Sequence, residues 1–447
     1  MSKIAIIGAG ITGLCATYAL KKKGHAVSLF EKNGIAGGVM GTIHADNHFN
    51  YLIELGPSTL QLNDIRVLNF LNEIGLAPDI IDSNANARKR YVVKNAQLHC
   101  LPYSFKSFIK TPLFSCKAKW RLLKEPFIKK GNSVESVSQF INRRLGPEIL
   151  DYAVNPFVSG IYAGDPDKLS IQHAFPRLFA LERDYGSLFK GMFKKKNPYK
   201  IKTRTVSFTH GMAQLPLRLA EILKESLYLN SNIKSISYLK NSWEITWCSN
   251  GKTQTEIFTK LVVTISADQL PTLPFDDLVW QELSDLKDIQ YVPMGVLTQA
   301  FHKGSIKHPL DGYGMLIPSK EKYDILGTLF PSSIFPQHYS SQLHILRTFI
   351  GGCRFPNIGS LDKKAIEDLV FKELAPLLGI IENPIDSHVH VWKCAIPQYN
   401  LGYEEFFRTM ENAQNRFPGL YIMGNYRSGI SLPQCILAGL SAAESVN

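Results

Sequence analysis

A glycine pattern in the first 31 residues is the feature that most constrains how this chain can fold. The apolar run Ile4 to Ile7 predicts a short strand, and Gly8, Gly10 and Gly13 follow it in the pattern G-x-G-x-x-G. The first glycine of this pattern permits a tight turn, the second lets backbone approach a pyrophosphate, and the third lets a helix pack closely on the strand. The predicted helix runs to about Lys23, and the amide groups at its start would face the phosphates.

A second predicted strand completes this N-terminal unit. It runs from Ala26 to Phe30 and ends at Glu31, whose carboxylate can accept hydrogen bonds from ribose hydroxyls. Because strand, glycines, helix, second strand and acid occur in this order, the segment predicts a dinucleotide site. The residues assigned to it are Gly8, Gly10, Ile11, Thr12, Gly13, Glu31 and Lys32.

Two further segments point to FAD as the dinucleotide. "GIAGGVMGT", Gly34 to Thr42, resembles the second glycine cluster of the large flavoprotein family that includes amine oxidases and phytoene desaturases. Near the C-terminus, "LYIMGNYRSGISLPQCILAGLSAAESV" predicts a strand over Leu420 to Met423, a loop after Gly424 and a helix after Pro433. The resemblance implies non-covalent FAD held by both ends of the chain, with further contacts from Gly37, Gly38, Gly56, Pro57, Ile233, Gly424, Ile430, Ser431 and Leu432.

Composition narrows the class of protein. The chain has 447 residues, of which 45% are apolar, so it is globular rather than disordered. Its seven cysteines are odd in number and form no Cys-x-x-Cys pair, which favours a reducing compartment and argues against structural zinc. His388 and His390 share one face of a predicted strand without a third ligand nearby, so we assign no metal. We expect neither a secretory signal nor a membrane-spanning helix.

The net charge of +12 is concentrated in one part of the chain. Residues 103–204 contain 20 Lys and Arg against 8 Asp and Glu, and the remaining residues contain 30 of each sign. Such a basic region can attract nucleic acid, anionic lipid or an acidic substrate, or it can be a solvated face. Its stretches "SFKSFIKTPLFSCKAKWRLLKEPFIKK" and "SLFKGMFKKKNPYKIK" mix aromatic residues, Leu and Lys, as suits a surface lying on anionic lipid. No nucleic-acid motif accompanies the charge, so we expect no nucleic-acid partner.

The segment "NPFVSGIYAGDPDKLS", Asn155 to Ser170, contains two glycines and two Xaa-Pro steps and predicts an interruption of a helical region. Together with "CAIPQYNLGY", Cys394 to Tyr403, it resembles the oxygen-dependent protoporphyrinogen oxidases, and "ELGPSTL", "RYVVKNAQLHCLP", "GYGMLIPS" and "FIGGC" match that family in order. The resemblance covers essentially the whole chain. It implies that the interruption lies beside the flavin and that Arg90 pairs with a propionate, a chemistry that suits a guanidinium group. The implied substrate residues are Arg90, Gly160, Ala163, Tyr313, Gly314, Leu316 and Phe349.

The sequence departs from this family at two positions. Some relatives have Arg where Ser58 stands, and many have Arg or another long polar residue where Gly41 stands. Both departures concern the packing around the flavin.

The resemblance implies a six-electron oxidation of protoporphyrinogen IX to protoporphyrin IX in haem biosynthesis. Three two-electron steps would each pass a hydride to the flavin, with oxygen reoxidising it and three hydrogen peroxide released. The cofactor carries the chemistry, so no catalytic side chain is named. Family members are monotopic membrane proteins, which implies a cytoplasmic protein bound peripherally to the cytoplasmic membrane, with a possible ferrochelatase-type partner downstream.

We expect an α/β and α+β architecture of three interleaved parts. A Rossmann-type FAD domain takes residues 1–88, 206–268 and 395–447; a substrate domain takes 89–102 and 269–394; a mostly helical, basic, membrane-associating insert takes 103–205. Three alternatives stay open: a coproporphyrinogen III oxidase, a flavin amine oxidase that uses Tyr399 and Tyr403 as an aromatic pair, and a non-catalytic FAD-bearing partner protein.

Overall fold

The fold is described from a computed structural model. It describes residues 1–45, 51–131, 134–194 and 198–446, with only the backbone of Phe105, Phe193 and Lys194. The strands, in chain order, are β1 Lys3–Ile7, β2 Ala26–Phe30, β3 Thr42–His44, β4 Leu52–Glu54, β5 Leu60–Asp64, β6 Ile80–Asp82, β7 Lys89–Lys94, β8 Gln97–Cys100, β9 Lys200–Phe208, β10 Leu227–Tyr228, β11 Ser231–Leu239, β12 Ser242–Ser249, β13 Lys252–Phe258, β14 Lys260–Val263, β15 Tyr291–His302, β16 Gly312–Leu316, β17 Ile325–Leu329, β18 Leu343–Gly351, β19 Asp386–Pro397 and β20 Leu420–Ile422.

The helices fill the segments between these strands. In chain order they are α1 Ile11–Lys22, α2 Ile65–Glu73, α3 Phe105–Lys110, α4 Cys116–Leu123, α5 Val137–Arg144, α6 Pro147–Ile149, α7 Asn155–Tyr162, α8 Ile171–Ala174, α9 Pro176–Tyr185, α10 Leu188–Lys194, α11 Gln214–Ile222, α12 Asp277–Leu283, α13 Pro331–Ile334, α14 Lys363–Leu378, α15 Glu404–Arg416, α16 Asn425–Ser428, α17 Leu432–Leu440 and α18 Ala442–Ser445. Among these described helices, none is both long and apolar enough to cross a membrane.

A five-stranded parallel sheet joins the two ends of the chain. Its strand order is β10-β2-β1-β14-β20, and β1 pairs with β2 on one side and with β14 on the other. Alternate residues of β1 enter two different cores, because successive side chains point to opposite faces of a strand. Ile4 and Ile6 pack in the core that contains α1, whereas Ala5 and Ile7 pack in the core that contains β12. The predicted α/β nucleotide-binding fold is therefore confirmed.

A second lobe is built on a seven-stranded mixed sheet of order β19-β15-β18-β17-β16-β7-β8. Its strands β7 and β8 come from an early part of the chain and the other five from residues beyond 290. Strand β7 lies parallel to β16, with Arg90 opposite Gly314. The chain thus crosses between the lobes several times, which brings residues distant in sequence to one cleft.

The range 103–205 is helical from α3 to α10, but its last residues belong to β9, which pairs with β5 and β6.

A buried ion-pair cluster ties these helices together. The Arg144 side chain is fully buried, donates to Glu125 Oε1 at 3.1 Å and also pairs with Glu182. Ser187 Oγ donates to Glu125 Oε2 at 2.6 Å, so the same carboxylate also anchors the start of α10.

The predicted helix interruption lies within the segment Asn155–Ser170, between the end of α7 at Tyr162 and the start of α8 at Ile171. A π-helical turn over Leu150–Val154 precedes α7, and the helix continues through Pro156 to Tyr162. Proline lacks the amide that an α-helix uses to bond the preceding turn, and a π-turn is a common place for such an irregularity. The helix ends where Ala163 adopts a left-handed conformation with φ of +48°.

Candidate active site

A cavity of about 830 Å³ lies where the two lobes meet α7 and α9. Its lining is mostly apolar, and its volume falls in the range of cofactor and substrate sites. Of the residues assigned from the sequence, the following line it: Ile11, Gly56, Pro57, Gly160, Tyr313, Leu316, Phe349, Ile430, Ser431 and Leu432.

The turn between β1 and α1 forms a glycine cradle at one end of this region. Gly8 has a φ of +103°, and a Cβ on Gly13 would lie 2.0 Å from the Gly8 carbonyl oxygen. Those two glycines are therefore required by the protein's own backbone. Gly10 is different, because it has an ordinary extended backbone and a Cβ there would meet no atom within 4 Å. The open space lies at the start of the 12-residue helix α1, where backbone amides favour an anion.

The residues around Glu31 frame the same cradle. Glu31 is buried, and its two carboxylate oxygens accept from the Ala9 amide at 2.9 Å and the Asn33 amide at 3.0 Å. Gly37 forms a bridge to Gly10, so the second glycine cluster lies against the first. Glu31 is thus held rigidly, with lone pairs left for a ribose.

Three other assigned residues lie near this frame. A Cβ on Gly38 would come within 3.4 Å of the Gly10 Cα, so Gly38 also borders the cradle. Ile233 lies in β11, two residues beyond Ser231, whose amide donates to the Glu31 carbonyl at 2.8 Å. Lys32 is exposed and donates to Gln269 Oε1 at 3.1 Å. Thr12 is buried in α1 rather than in the cavity lining.

The loop after β20 forms a second side of the site. Gly424 has a φ of +151°, and Ser431 begins α17 with a reciprocal pair of hydrogen bonds to Gln434. Tyr399 and Tyr403 hold this loop from behind: the Tyr399 hydroxyl donates to the Asn425 carbonyl at 2.5 Å, and the Tyr403 hydroxyl donates to the Tyr426 carbonyl at 2.6 Å.

These two tyrosines bear on the amine oxidase alternative. Both are buried, and neither belongs to the cavity lining in the described part of the chain. Their hydroxyl groups are bound to backbone, so their rings are not presented as an open aromatic pair. The geometry does not favour an amine cage.

The wall assigned to substrate is built from α7 and the sheet of the second lobe. A Cβ on Gly160 would lie 3.0 Å from Leu316 Cδ2, so helix and strand are in close contact here. The Tyr313 hydroxyl lies 3.2 Å from Thr59 Oγ1. The guanidinium of Arg90 lies over the Tyr313 ring at 5.0 Å from its centroid, and no acidic residue in the described part of the chain forms an ion pair with it.

Ala163 and Gly314 lie behind the lining, whereas Arg90 is exposed and lies outside it. Ala163 packs with Met294 and Leu326, which do face the cavity. A Cβ on Gly314 would lie 2.3 Å from the Thr328 carbonyl oxygen, so this glycine allows β16 and β17 to approach. Arg90 reaches the site through Tyr313.

Several lining residues were missed from the sequence. Trp392 lines the cavity, and its Nε1 donates to the Leu55 carbonyl at 2.8 Å. It lies two residues before the segment "CAIPQYNLGY", so its closeness in sequence to that segment could have indicated a place in the site. Arg177 also lines the cavity from the first turn of α9, and its only signal was an isolated charge after a proline. Met294 and Val296 lie in an apolar strand, which offered no functional signal.

The two histidines of β19 lie close to other partners. His388 Nε2 is 3.7 Å from Asp386, and the His390 ring contacts Trp392. In the described ranges, no group of three or more His, Cys, Asp and Glu residues is arranged to hold a metal.

Comparison with known proteins agrees with this geometry. The model of the family described as flavin containing amine oxidoreductase matches residues 11–447. The chain is 31% identical to protoporphyrinogen oxidase 2, chloroplastic/mitochondrial, of Arabidopsis thaliana, over 99% of this chain and 93% of that one. It is 26% identical to coproporphyrinogen III oxidase of Bacillus subtilis (strain 168), over 99% and 97% of the two chains.

Solved structures share the fold. A chain from Exiguobacterium sp. 255-15, named provisionally as a protoporphyrinogen oxidase, superposes with a TM-score of 0.81 at 21% identity, covering 100% of this chain and 98% of that one. A putrescine oxidase bound to putrescine superposes with a TM-score of 0.74 at 16% identity, covering 100% and 98%. The cofactor is FAD, which the open cradle at Gly10 fits. This chain therefore belongs to the flavin-containing amine oxidoreductase family.

Proposed function

We propose that this protein oxidises a porphyrinogen to the porphyrin in haem biosynthesis, with protoporphyrinogen IX as the substrate. The observation that carries the proposal is the cavity of about 830 Å³, apolar and flanked by Arg90 beside Tyr313. A tetrapyrrole is a large apolar ring with carboxylate edges, and such a cavity with a cation at its rim is complementary to it. The names of the full-length relatives point to the same substrate class.

The residues of the chain would bind and orient the two reactants. Gly160, Leu316 and Phe349 line the cavity and would lie against the ring of the substrate. The Gly56–Pro57 turn and the Ile430–Leu432 segment would hold the flavin ring against that space. The chemistry that FAD would supply when bound is hydride acceptance in each of three two-electron stages. Dioxygen would reoxidise the flavin after each stage, which gives three hydrogen peroxide per porphyrin.

Coproporphyrinogen III is the second candidate substrate. A second arginine, Arg177, lines the cavity in addition to the nearby Arg90, and the described residues show no ion-pair partner within 4.0 Å of Arg177. Coproporphyrinogen carries two more propionates than protoporphyrinogen, and each can take a guanidinium partner. The Bacillus subtilis relative is named for this substrate.

The decisive experiment supplies purified protein with either porphyrinogen or with a set of amines, and follows porphyrin fluorescence and peroxide together. We expect protoporphyrinogen to be oxidised with three peroxide per porphyrin. A much higher kcat/KM with coproporphyrinogen would establish the second candidate. Peroxide formed only with amines would identify an amine oxidase, and no product from any of these compounds would favour a non-catalytic partner protein.

Replacing Arg90 tests the propionate contact. We expect Arg90→Ala to raise KM for the porphyrinogen, because the ion pair exists before the chemical step as well as during it. Loss of one charge-assisted contact costs about 1.5–3 kcal/mol, which is on the order of 10- to 100-fold in kcat/KM. Steady-state kinetics measure this.

Arg88 offers a matched control, since it is also an exposed arginine two residues away. Arg88→Ala should leave KM unchanged. An equal effect of both substitutions would indicate a general loss of positive charge, and no effect of Arg90→Ala would assign the propionate to another residue.

The helical range also supports attachment to an anionic membrane surface. Large apolar side chains are exposed there, including Trp120 at 69% and Phe127 at 86%. Lys119 lies beside Trp120 in α4 and donates to the Ile109 carbonyl at 2.8 Å. A surface of aromatic side chains among lysines suits the boundary of an anionic bilayer.

The basic run Lys194–Lys196 was predicted to contribute, but Lys195 and Lys196 lie outside the described residues, and so does the side chain of Lys194. Cytoplasmic location, peripheral binding at the cytoplasmic membrane and hand-over to a ferrochelatase-type partner form part of this proposal.

Co-sedimentation with lipid vesicles tests the attachment. We expect binding to anionic vesicles at low salt, since each basic residue near such a surface contributes about 1 kcal/mol. Salt at 1 M should weaken the binding to anionic vesicles, because the Debye length falls to about 3 Å. The aromatic residues inserted into the bilayer should keep a salt-resistant fraction of the protein bound. Trp120→Ala combined with Phe127→Ala should remove that fraction. Ile381→Ala, at a residue 60% exposed on the other lobe, is the control. Binding indifferent to lipid charge would contradict the electrostatic part.

A further inference from the structure

A buried arginine lies directly behind the cavity wall. Arg347, in β18, is 2% exposed, and its Nη2 donates to the Gly56 carbonyl at 2.7 Å. Its guanidinium lies 5.6 Å from the centroid of the Phe349 ring. Gly56 and Phe349 both line the main cavity, so this one side chain contacts the part assigned to flavin and the part assigned to substrate.

The charge of Arg347 is incompletely paired. The Arg347 guanidinium forms no ion pair within 4.0 Å with a carboxylate of the described residues. Its buried Nε has no hydrogen-bond partner. Burial lowers the pKa of Arg347 to about 10, so the group is still protonated at neutral pH. Burying such a charge is costly, and an apolar residue of similar volume often gives a more stable fold. Stability alone therefore does not explain an arginine at this position.

Glu54 gives the local charge a direction. Its Oε2 accepts from the Thr42 hydroxyl at 2.6 Å, and its Oε1 accepts from the Met212 amide at 2.8 Å. The Ala213 amide donates to Thr42 Oγ1 at 3.0 Å, which leaves the Thr42 hydroxyl hydrogen for Glu54. Burial raises the pKa of the Glu54 carboxyl, whereas the hydrogen bonds from Thr42 and Met212 and the positive charge of Arg347, which lines the same small cavity, oppose that shift and favour the ionised form. Its negative charge is thereby fixed towards Thr42 and Met212, while the guanidinium bonds to the carbonyl of Gly56.

We infer that Arg347 and Glu54 form a fixed dipole whose positive end faces the Gly56–Pro57 turn and makes the FAD bound against that turn easier to reduce. Reduction adds negative charge to the flavin ring, and a preorganised cation in a site without water stabilises charge that develops nearby. The inference rests on the placement of FAD against Gly56–Pro57 in the proposed function. Arg347 acts through space and through the Gly56 carbonyl, so it is a positioning residue rather than a catalytic one.

The midpoint potential of the bound flavin measures this directly and needs no porphyrinogen. Purified FAD-bound protein is reduced stepwise in the presence of reference dyes, for the wild type and four variants. Arg347→Met removes the charge, Arg347→Lys keeps it, and Glu54→Gln removes the opposing charge with the same shape. Arg354→Met is the control, since Arg354 is also largely buried but donates to the Ile317 and Ile325 carbonyls, each at 2.9 Å.

The dipole predicts shifts of opposite sign. We expect the potential to fall in Arg347→Met, to rise in Glu54→Gln, and to stay near the wild-type value in Arg347→Lys and Arg354→Met. Shifts of the same sign in Arg347→Met and Glu54→Gln, or none with flavin retained, would overturn the inference and leave Arg347 a packing residue. Arg347→Met could be purified without flavin, and its potential could then not be measured. In that case, a midpoint potential in Glu54→Gln that does not rise above the wild-type value overturns the inference. A shift of the expected signs in a protein that oxidises no porphyrinogen would separate this inference from the proposed substrate.

Discussion

Gly10→Val is expected to give a folded protein without flavin, whereas the wild type is purified yellow with non-covalent FAD. A valine at this position meets no protein atom within 4 Å of its Cβ, and the extended backbone of Gly10 suits any residue. Valine is a poorer residue than glycine at the start of a helix, which costs about 1 kcal/mol and does not unfold a domain of this size. The added methyl groups would occupy the space that the pyrophosphate needs. Flavin absorbance per mole of protein measures the loss.

Thermal unfolding separates loss of binding from loss of fold. Added FAD should raise the Tm of the wild type and not that of Gly10→Val, since a ligand stabilises only the state that binds it. Gly359→Val is the control, because a Cβ there also meets no atom within 4 Å and the glycine lies on the surface of the other lobe. A Gly10→Val protein that retains full flavin would refute the placement of FAD in this cradle.

Gly160→Leu is expected to keep its flavin and to lose turnover. A Cβ at Gly160 is already 3.0 Å from Leu316 Cδ2, so a leucine must press on Leu316 or extend into the cavity. Overpacking of this kind costs about 1–3 kcal/mol, which corresponds to about 5- to 150-fold in kcat/KM if the substrate bears it. Steady-state kinetics with porphyrinogen and the flavin content of the same preparation are the two measurements.

The fold should not suffer from this substitution. Gly160 lies in α7 and is exposed, and replacing a helical glycine with leucine improves helix propensity by roughly 0.5–1 kcal/mol. Gly160→Ala serves as the graded control, with an effect between the wild type and leucine. Near-normal activity in Gly160→Leu would place α7 away from the substrate.

Local patterns accounted for much of the nucleotide-binding end. The turn at Gly8, the close packing at Gly13 and the course of β1, α1 and β2 all depend on residues within one short stretch, so sequence spacing was enough to predict them. The course of α7 was harder to predict. The segment Asn155–Ser170 was predicted to interrupt a helical region without a position for the break; the helix passes through Pro156 after the π-turn over Leu150–Val154 and ends at Ala163, inside that segment.

The direction in which a side chain points could not be predicted from the sequence either. Tyr399 and Tyr403 were visible in the sequence as a pair of aromatic residues, yet whether they face the cavity or the loop behind it depends on how β19 and α15 pack. Ala163 and Gly314 were assigned to the substrate wall, but they support it from behind. A pattern identifies residue types and their order along the chain, and it contains no information about which surface each side chain covers.

By itself, the sequence determined the glycine cradle for a dinucleotide and the resemblance from which the porphyrinogen hypothesis follows, because both depend on the order of residues along the chain. Only the tertiary structure decided that Gly160 meets Leu316, that Arg90 lies over Tyr313, and that the buried guanidinium of Arg347 reaches the Gly56 carbonyl. Arg347 and Gly56 are 291 residues apart. Contacts of this kind arise when strands from distant parts of the chain enter one sheet, and the free energy that selects them is spread over the whole core.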